Sequence, residues 1–522
     1  MITIDGVSLG LAEIEAVARD RVPVRLDPAA AERVRRSRRA LESLLDSDDP
    51  VYGVSTGFGR LAQVRIARQE QRALQRNLVR SHAAGVGRPL PSEEVRAILL
   101  LRANALARGQ SGCRLVVVER LIDFLNRGIH PLVPEIGSIG ASGDLAPLAH
   151  VALALMGEGR VEADGETEAT SEVLRRAGIP PIQLAEKEGL ALVNGTQAVT
   201  GIGALALMRF GRALDTADVA GATTLEGLRG TPDPFRAEIH AARPHPGQIA
   251  SARRLWTLLE GSEIRESHRV GDPRVQDAYS VRCMPQVHGA ARDAHGYAHR
   301  ILTTEANSTT DNPLVLAGGD GPGEARVLSG GNFHAQVIAQ CLDLVAIVTA
   351  DMASISERRI DRLLNPDLSG LPAFLTPEPG IRSGLMIAQV VAADALAEMR
   401  VLAAPASIDS VSTSASQEDH VSMGMAAARK VRRSVSLLDT VLGVELLCAV
   451  QAVEFHRPLR ASAGVERAVS AVRERVPRLV EDRVPSDDIA AAVELVVSGA
   501  LAGSVAGDVP GAAGDSPAIG KE

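Results

Sequence analysis

The sequence predicts a mainly α-helical protein: an elongated helical bundle preceded by a loop-rich N-terminal domain. Hydrophobic residues make up 45% of its 522 residues and aromatic residues only 2%, so Ala, Leu and Val must supply most of the core. Such a core favours helices over sheet sandwiches. The second observation is a set of long stretches with helical periodicity, at about 196–228, 284–306, 333–365 and 418–456.

The third of these stretches is the longest useful helix, and it stops against Pro366 as a helix should. At 1.5 Å per residue it would measure roughly 50 Å. The stretch 418–456 ends before Pro458, with Gly443 a possible weak point. Helices longer than about 25 residues without heptad regularity usually pack side by side, often in a bundle that other subunits complete. We therefore expect an all-helical oligomer.

The first 200 residues differ from the rest, because shorter helices alternate with Gly-rich loops at PVYGVSTGFG and EIGSIGASGDLAP. Loops of this kind often carry chemistry. We expect an N-terminal catalytic domain at 1–200, a long-helix bundle with C-terminal helices at 201–502, and a mobile Gly- and Ala-rich tail at 503–522. Turn signals in 157–181 indicate a small hairpin and a short helix.

Composition excludes several classes of function. The net charge of -8 arises from Arg and Glu mixed along the same segments, so no basic stripe is available for nucleic acid. The four cysteines form no CxxC pair, and HExxH, GxGxxG and GxxxxGK[ST] motifs are absent, so we expect no metal, disulfide framework or nucleotide. The N-terminus carries an acid where a signal peptide would be basic. A soluble cytoplasmic protein is the expectation.

The segment GSIGASGDLAPLAH at 137–150 carries the strongest signal. In an ordinary structural interpretation, Ser142 or Asp144 caps a helix that begins near Leu145, with Pro147 tolerated in its first turn. For a bare Ala-Ser-Gly tripeptide this interpretation would be the natural one. The complete string supports a second interpretation.

That string resembles the signature of the aromatic amino-acid ammonia-lyases and aminomutases, in which Ala-Ser-Gly cyclises into a 4-methylidene-imidazol-5-one (MIO). The resemblance implies an autocatalytic MIO from Ala141, Ser142 and Gly143. The residue types suit this chemistry, since Gly143 lacks a Cβ and its nitrogen can bend back onto the Ala141 carbonyl, while Ser142 loses its hydroxyl as water. It also implies a fumarase/aspartase-like helical architecture, helix N-termini directed at the MIO, and a homotetramer with shared active sites.

The segment VYGVSTGFG at 51–59 contains Tyr52, one of three tyrosines in the chain. The resemblance makes Tyr52 the base that takes the β-proton of the substrate. The alternative is a loop tyrosine whose hydroxyl satisfies a backbone group. Gly53 to Gly57 also form a GxSxG pattern, so a serine hydrolase is a further alternative. A nucleophile elbow needs a strand before it and a helix directly after it, and LDSDDPVY before the motif is a poor strand.

The segment VQDAYSVRCMPQVHGA at 275–290 resembles the histidine-specific members of the family. Gln276, Tyr279 and Arg282 are three residues apart, so helix-like turns would place them on one face. The resemblance makes Arg282 a two-point clamp on the substrate carboxylate, places Tyr279 close to the reaction centre and puts Gln276 near the MIO. The alternative for Arg282 is a solvated side chain on an ordinary helix.

Three more strings fit the family: LVNGTQA around Asn194, SGGNFHAQ around Phe333 and SASQEDHVSMG around Glu418. The resemblance implies that Asn194 supports the MIO and the substrate amino group, and that Phe333 packs beside the reacting atoms. Taken singly, Asn194 could be a turn or cap residue and Phe333 a core residue. The family explains all three together.

The choice of substrate depends on Glu418 and on His82 in RSHAAGVG. Phenylalanine and tyrosine lyases of the family usually have glutamine in place of Glu418. A carboxylate that faces an imidazole makes a charge-assisted hydrogen bond that a phenyl ring cannot return. Asp419 is adjacent to Glu418, and on a helix the two would diverge by about 100°, so only one faces the site. His82 is less specific, since tyrosine enzymes can also carry histidine there.

The resemblance therefore implies an enzyme that eliminates ammonia from L-histidine to give trans-urocanate. Two alternatives stay open. One is a tyrosine or phenylalanine ammonia-lyase or an aminomutase of the same family, and the other is a catalytically silent helical scaffold.

Overall fold

The computed structural model describes residues 1–45, 50–318 and 325–503, and 59% of the chain is helical and 8% is strand. The predicted fold class is confirmed. Packing divides the chain into two compact units. The first comprises Met1–Met208, Tyr297–Leu344 and Pro405–Arg432, and the second comprises Arg209–Gly296, Val345–Ala404 and the chain from Arg433 onward.

The predicted functional division at residue 200 stays a prediction, because units defined by packing do not test where functions divide. The predicted tail at 503–522 lies, apart from Gly503, outside the described residues.

The first unit combines short helices with small sheets. Its shorter helices are α1 Leu11–Ala18, α2 Pro28–Leu45, α3 Gln71–His82, α4 Ser92–Ala107, α5 Leu115–Asn126, α6 Leu145–Leu155, α7 Thr170–Ala177 and α8 Glu188–Val193. Its strands are β1 Ile2–Ile4, β2 Val24–Leu26, β3 Val86–Pro89, β4 His130–Pro131, β5 Pro134–Ile136, β6 Arg160–Ala163, β7 Glu166–Ala169, β8 Leu314–Leu316 and β9 Arg326–Leu328. Short 3₁₀ turns lie at Gly59–Leu61 and Arg68–Glu70.

The strands pair in short ladders. The pair β1–β2 is parallel, whereas β3–β5, β4–β6–β7 and β8–β9 are antiparallel. The hairpin β6–β7 followed directly by α7 confirms the hairpin and short helix predicted for 157–181.

Two helix clusters build the first unit. Helix α4 is buried along nearly its whole length and packs against α1, α2 and α5. Helices α3, α6 and α8 pack against one another. This second cluster determines where the site forms, because α3 ends at His82, α6 begins after the loop 137–144, and α8 ends just before Asn194.

Four long helices contain boundaries between the units: α9 Gln197–Gly227, α14 Met284–Ala306, α15 Gln336–Leu364 and α18 Gly424–Glu454. All four predicted long helices are confirmed, and α15 ends before Pro366 as expected. Gly443 does not interrupt α18. The predicted start of α18 at Glu418 is wrong, because residues 418–423 form a loop before Gly424.

Helices α15 and α18 are long and apolar enough to pass a test for membrane-spanning segments by length and composition. The most apolar window of α15 is 61% buried inside the protein, and that of α18 is 89% buried. Such burial is what core helices of a folded protein show.

Among its described residues, the second unit contains helices, turns and loops but no β-strand. Its other helices are α10 Ala237–Ala241, α11 Pro246–Leu258, α12 Glu263–Glu266, α13 Tyr279–Arg282, α16 Pro366–Ser369, α17 Met386–Leu402, α19 Ala463–Arg473, α20 Pro485–Ser498 and α21 Ala500–Gly503, with 3₁₀ turns at Asp233–Phe235 and Ala373–Leu375. A buried ion pair joins α15 to α18, where Arg359 Nη2 donates to Glu445 Oε2 at 2.8 Å. Thr224 also donates to Glu445, at 2.9 Å, so this buried charge is fully paired.

Candidate active site

A cavity of about 790 Å³ opens in the first unit. Six of the residues selected from the sequence line it: Tyr52, His82, Ser142, Asn194, Phe333 and Glu418. The rest of its wall is largely apolar, with contributions from Leu61, Val64, Ile66, Leu74, Leu145 and Leu190. A mostly apolar cleft with a few convergent polar groups is the usual form of a small-molecule site.

The loop that precedes α6 folds back on itself. Ser142 has φ +53° and Gly143 has φ +81°, and a short β-bridge pairs Gly140 with Gly143. A side chain in the left-handed region costs roughly 1–2 kcal/mol, so the surroundings must hold Ser142 in this conformation.

A second β-bridge holds the loop against the segment around Gly195. Gly143 pairs with Gly195, and the Asp144 amide donates to the Gly195 carbonyl at 2.7 Å. A Cβ on Gly143 would collide with that same carbonyl oxygen, so only glycine fits. The Asp144 carboxyl accepts from the Val199 amide at 2.8 Å and from Ser138 Oγ at 3.4 Å. Its burial raises the pKa of Asp144 to about 7.

Asn194 follows the last residue of α8 and binds the loop that contains Ser142. Its Nδ2 donates to the Ser142 carbonyl at 3.1 Å, while its Oδ1 is buried and has no hydrogen-bond partner among the described residues. Fully buried Arg102 donates to the Asn194 carbonyl at 2.8 Å and to Gln197 Oε1 at 2.7 Å. Sequence reasoning missed Arg102. Its position inside the apolar run ILLLRANALA could have indicated a buried guanidinium.

Tyr52 lies on a loop that is tied to α8. Its hydroxyl accepts a hydrogen bond from the Gly59 amide at 3.1 Å. Gln75, fully buried on α3, donates to the Gly53 carbonyl at 2.9 Å and accepts from the Leu190 amide at 3.1 Å. Sequence reasoning also missed Gln75, which holds the Tyr52 loop against α8, the helix that Asn194 follows.

The hydrolase alternative is wrong. Pro50, Val51 and Tyr52, the described residues directly before the GxSxG pattern, form no strand, and a bend and a 3₁₀ segment follow it instead of an α-helix. The Ser55 hydroxyl accepts from the Val51 amide at 2.9 Å and so closes a local turn. The nucleophile elbow is not formed.

His82 is the last residue of α3 and is half-buried at the cavity wall. Its Nδ1 lies 2.9 Å from the Leu78 carbonyl oxygen. Because a carbonyl can only accept, Nδ1 carries the proton, and Nε2 is the ring nitrogen available to a ligand.

Glu418 comes from a tight turn rather than from a helix. Residues 414–416 have φ values of +50°, +51° and +66°, and Thr413 and Glu418 exchange two backbone hydrogen bonds across this turn. The helical interpretation of Glu418 and Asp419 is therefore wrong. The structure still places only one of the two acids at the cavity. Glu418 lines it, whereas Asp419 is exposed and does not line it.

Both oxygens of the Glu418 carboxyl have hydroxyl donors. Ser142 Oγ donates to Oε1 at 2.8 Å, and Thr413 Oγ1 donates to Oε2 at 3.0 Å. The same turn contacts the Tyr52 loop, since a Cβ on Gly59 would collide with the Ser414 hydroxyl. The Ser142 loop, the Tyr52 loop and the Glu418 turn thus meet at one wall of the cavity.

Three predicted site residues belong to the second unit. Tyr279 and Arg282 are the first and last residues of α13, and the Arg282 guanidinium lies 4.6 Å from the centre of the Tyr279 ring. Tyr279 is 71% exposed. Gln276 lies in a bend before α13, so the prediction of one shared helical face is wrong for Gln276. These three residues do not line the cavity of the first unit.

The lining also lacks a permanent cation. Among the described residues that line the cavity, none is a lysine or an arginine. A substrate carboxylate would therefore need a cationic partner other than the described residues that line this cavity.

The comparisons with known proteins agree with these features. The family model "Aromatic amino acid lyase" matches residues 9–474. A histidine ammonia-lyase of Anaeromyxobacter sp. (strain K) is 53% identical over 506 residues, which cover 95% of this chain and 99% of that protein.

Solved structures give the same result. The histidine ammonia-lyase of Trypanosoma cruzi matches with a TM-score of 0.89 and 41% identity over 97% of this chain and 94% of that chain. The tyrosine aminomutase of Streptomyces globisporus matches with a TM-score of 0.91 and 39% identity over 97% of this chain and 98% of that chain. With the folded-back Ala-Ser-Gly loop and the cavity described above, these matches show that the chain belongs to the aromatic amino acid lyase family.

Proposed function

We propose that this lyase eliminates ammonia from L-histidine and releases trans-urocanate. The observation that carries the proposal is that Glu418 and His82 line the same cavity as Ser142. A carboxylate binds an imidazole N–H with a charge-assisted hydrogen bond, and it would be left unpaired against a phenyl ring. The relative from Anaeromyxobacter bears the name of this activity at 53% identity.

Formation of an MIO from Ala141, Ser142 and Gly143 is part of the proposal. The loop suits it, because Ser142 and Gly143 already adopt left-handed backbone conformations and Asn194 Oδ1 is a buried acceptor without a partner in the described part of the chain. The group would supply a strong electrophile that turns the substrate amine into a better leaving group, chemistry that no unmodified side chain offers.

The side chains of this chain would then bind the substrate and move its proton. Glu418 accepts a hydrogen bond from the imidazole and so orients the ring, and His82 lines the same cavity. Tyr52 takes the β-proton, and the Gly59 amide that donates to its oxygen at 3.1 Å stabilises negative charge there. Asn194 holds the Ser142 carbonyl and the amino group, and Phe333 packs against the reacting atoms.

The carboxylate clamp is the part that this cavity lacks. We assign it to Arg282, with Tyr279 and Gln276 beside it, contributed by another copy of the chain. The absence of lysine and arginine among the described lining residues and the 71% exposure of Tyr279 support this assignment. A site completed in this way requires an oligomer, and the family resemblance makes that oligomer a homotetramer with shared active sites.

We also propose that the enzyme works in the cytoplasm. Cys113, Cys283, Cys341 and Cys448 are all free thiols in the structure. Thiols persist in this form in a reducing compartment.

The experiment that tests the proposal measures urocanate and ammonia released from L-histidine, together with the intact mass of the same preparation. We expect product in equal amounts and a mass lower than that of the translated sequence by two waters. Ser142→Ala should remove the mass change and nearly all turnover, whereas Ser43→Ala, at an exposed serine, should change neither.

Two results would contradict the proposal. A β-amino acid formed as the main product would identify an aminomutase. Full turnover by a protein with the unmodified mass would exclude the MIO.

A further inference from the structure

Arg102 is a fully buried cation whose donors meet only neutral oxygens among the described residues. It lies on α4. Its Nη2 donates to the Ala191 carbonyl, and its Nη1 donates to the Asn194 carbonyl at 2.8 Å and to Gln197 Oε1 at 2.7 Å. Its Nε is buried and has no hydrogen-bond partner in the described part of the chain. Because a guanidinium keeps its proton in proteins, a full positive charge is held at this point.

A buried ion pair nearby does not neutralise this charge. Lys187 Nζ donates to Asp311 Oδ2 at 2.7 Å, and the Asn312 amide donates to Asp311 Oδ1 at 2.7 Å. Both oxygens of Asp311 are therefore occupied by other donors. The two cations Lys187 and Arg102 and the one anion Asp311 leave a net charge of +1. Burying a charge without a countercharge costs stability, so stability alone does not account for the guanidinium.

The charge lies next to the segment that supports the loop containing Ser142. A Cβ on Gly195 would collide with Arg102 Nη1, so the guanidinium packs against the Gly195 backbone. Gly195 also forms the β-bridge to Gly143. Asn194, whose carbonyl accepts from Arg102, donates its Nδ2 to the Ser142 carbonyl at 3.1 Å. The two residues 194 and 195 thus contact both the cation and the loop.

Helix capping is the ordinary explanation for a buried arginine whose donors meet backbone carbonyls. Arg96, also on α4, is an example. Its Nε donates to the Val17 carbonyl and its Nη1 to the Leu125 carbonyl, each at 2.9 Å, near the ends of α1 and α5. Arg102 binds the end of α8 in a similar way, but the residues it binds also bind the Ser142 loop. Arg96 therefore provides a control for capping alone.

We propose that the buried charge of Arg102 stabilises the negative charge that develops on the Ser142 carbonyl oxygen when a nucleophile adds to the matured loop. This inference rests on the proposed function in so far as it assumes that the MIO forms. Arg102 acts through Asn194 and Gly195, so it is a positioning residue. A fixed charge acts strongly in a low-dielectric interior, because no water screens it and nothing has to reorganise as the reaction proceeds.

The test measures the reactivity of the loop toward borohydride and needs no amino-acid substrate. Hydride adds to the carbon that was Ser142 Cβ, and the electron pair of the Cα=Cβ bond moves toward the Ser142 carbonyl oxygen. Water then gives a proton to Cα, so the peptide that contains 141–143 gains two hydrogens. Purified full-length protein is quenched at intervals and this peptide is weighed. Only matured chains react, which gives a rate per matured site.

Gln197→Glu is the main variant, because it neutralises the charge while keeping an acceptor for Arg102. Thr310 Oγ1, which accepts from Gln197 Nε2 at 2.8 Å, is a hydroxyl and so can donate to the new carboxylate instead. We expect borohydride addition to become about tenfold slower, while the urea midpoint of unfolding stays the same or rises. Gln197→Met removes the same polar contacts without adding a charge, and it should react at close to the wild-type rate.

A second set of variants covers the case in which a buried glutamate prevents folding. Arg102→Met removes the charge and should slow borohydride addition about tenfold, whereas Arg102→Lys keeps the charge and should restore part of the rate. Arg96→Met removes the other buried guanidinium of α4. It should lower the urea midpoint and leave the rate of addition unchanged.

The proposal is overturned if Gln197→Glu reacts at the wild-type rate, or if Gln197→Met is as slow as Gln197→Glu. It is also overturned if Arg96→Met slows the addition as much as Arg102→Met does, because loss of packing would then explain both. A wild-type chain whose 141–143 peptide has the unmodified mass and gains no hydrogens would instead overturn the proposed function. The two failures are therefore distinguishable by the wild-type mass.

Discussion

The phenolic oxygen of Tyr52 accepts a hydrogen bond from the Gly59 backbone amide, with 3.1 Å between the two atoms. A fixed N–H directed at this oxygen holds the phenol in one orientation in the cavity. The loop that contains both residues is held against α8 through Gln75. These contacts make Tyr52 the residue whose substitution most directly tests the chemical step.

Tyr52→Phe should leave folding intact and lower kcat by about 10²–10⁴-fold, because only the proton acceptor is deleted. Urocanate formation measured under saturating L-histidine gives this value, and circular dichroism checks the fold. Tyr297→Phe is a matched control at a tyrosine outside the cavity and should keep wild-type turnover. Equal kcat values for wild type and Tyr52→Phe would exclude Tyr52 as the base.

Glu418→Gln should change the choice of substrate. Loss of a charge-assisted hydrogen bond to imidazole costs roughly 1.5–3 kcal/mol, so kcat/KM for histidine should fall tenfold or more per matured site. Entry of tyrosine or phenylalanine should become easier. The measurement is the ratio of kcat/KM for histidine and tyrosine, normalised to the matured fraction found by mass. An unchanged ratio, with only thermal stability reduced, would remove the main support for histidine as substrate.

Arg282→Lys should raise KM for histidine about tenfold, which corresponds to ~1.4 kcal/mol, with a smaller effect on kcat. An ammonium cannot reproduce the planar two-point contact of a guanidinium with a carboxylate. Arg300 provides a matched control, since its guanidinium lies 5.3 Å from the centre of the Tyr297 ring in a similar stacked arrangement. If Arg300→Lys raises KM as much as Arg282→Lys does, the assignment of the clamp fails.

Asp144 should make the fold less stable as the pH rises. Burial raises the pKa of Asp144 from 3.8 to about 7, so the protonated carboxyl stabilises the folded state fully below about pH 3.8, and this contribution disappears as the pH passes 7. The loss amounts to roughly 4 kcal/mol at most. Urea unfolding of wild type at pH 5 and pH 8 should show it as a lower midpoint at pH 8.

Asp144→Asn keeps the shape of the side chain and should reduce this difference between pH 5 and pH 8. Part of the difference should remain, because burial also raises the pKa of Glu94 to about 7. The same pH dependence in Asp144→Asn and wild type would show that Asp144 titrates normally in the folded protein.

The sequence predicted the long helices well because their signals are local. Periodicity and Pro366 determine α15, and the span 284–306 coincides with α14. The start of α18 was misplaced because Met423, directly before Gly424, has a φ of +56°, and the preceding turn at 414–416 has three successive non-glycine residues with positive φ. Serine and alanine give no local indication of such a turn. Only its contacts with the rest of the unit can hold it.

The site residues were found through whole motifs, whereas their supports were not. Tyr52, Asn194 and Glu418 lie in recognisable strings and line one cavity. Arg102 and Gln75 lie in ordinary helical sequence, and their roles depend on backbone atoms that are distant in the chain. Long-range pairing of a polar side chain with a particular carbonyl leaves no periodic pattern, so the sequence alone could not predict it.

The close approach of Gly59 to Ser414 has a consequence for how such an enzyme can acquire a new substrate. The segment with the proton acceptor and the segment with the ring-binding carboxyl touch where Gly59 has no side chain. A larger residue at either position would change the distance between these two groups. Substitutions that enlarge the binding space at this contact would therefore also disturb proton removal, and changes of specificity that preserve rate should instead come from lining residues outside these two segments, such as Phe333.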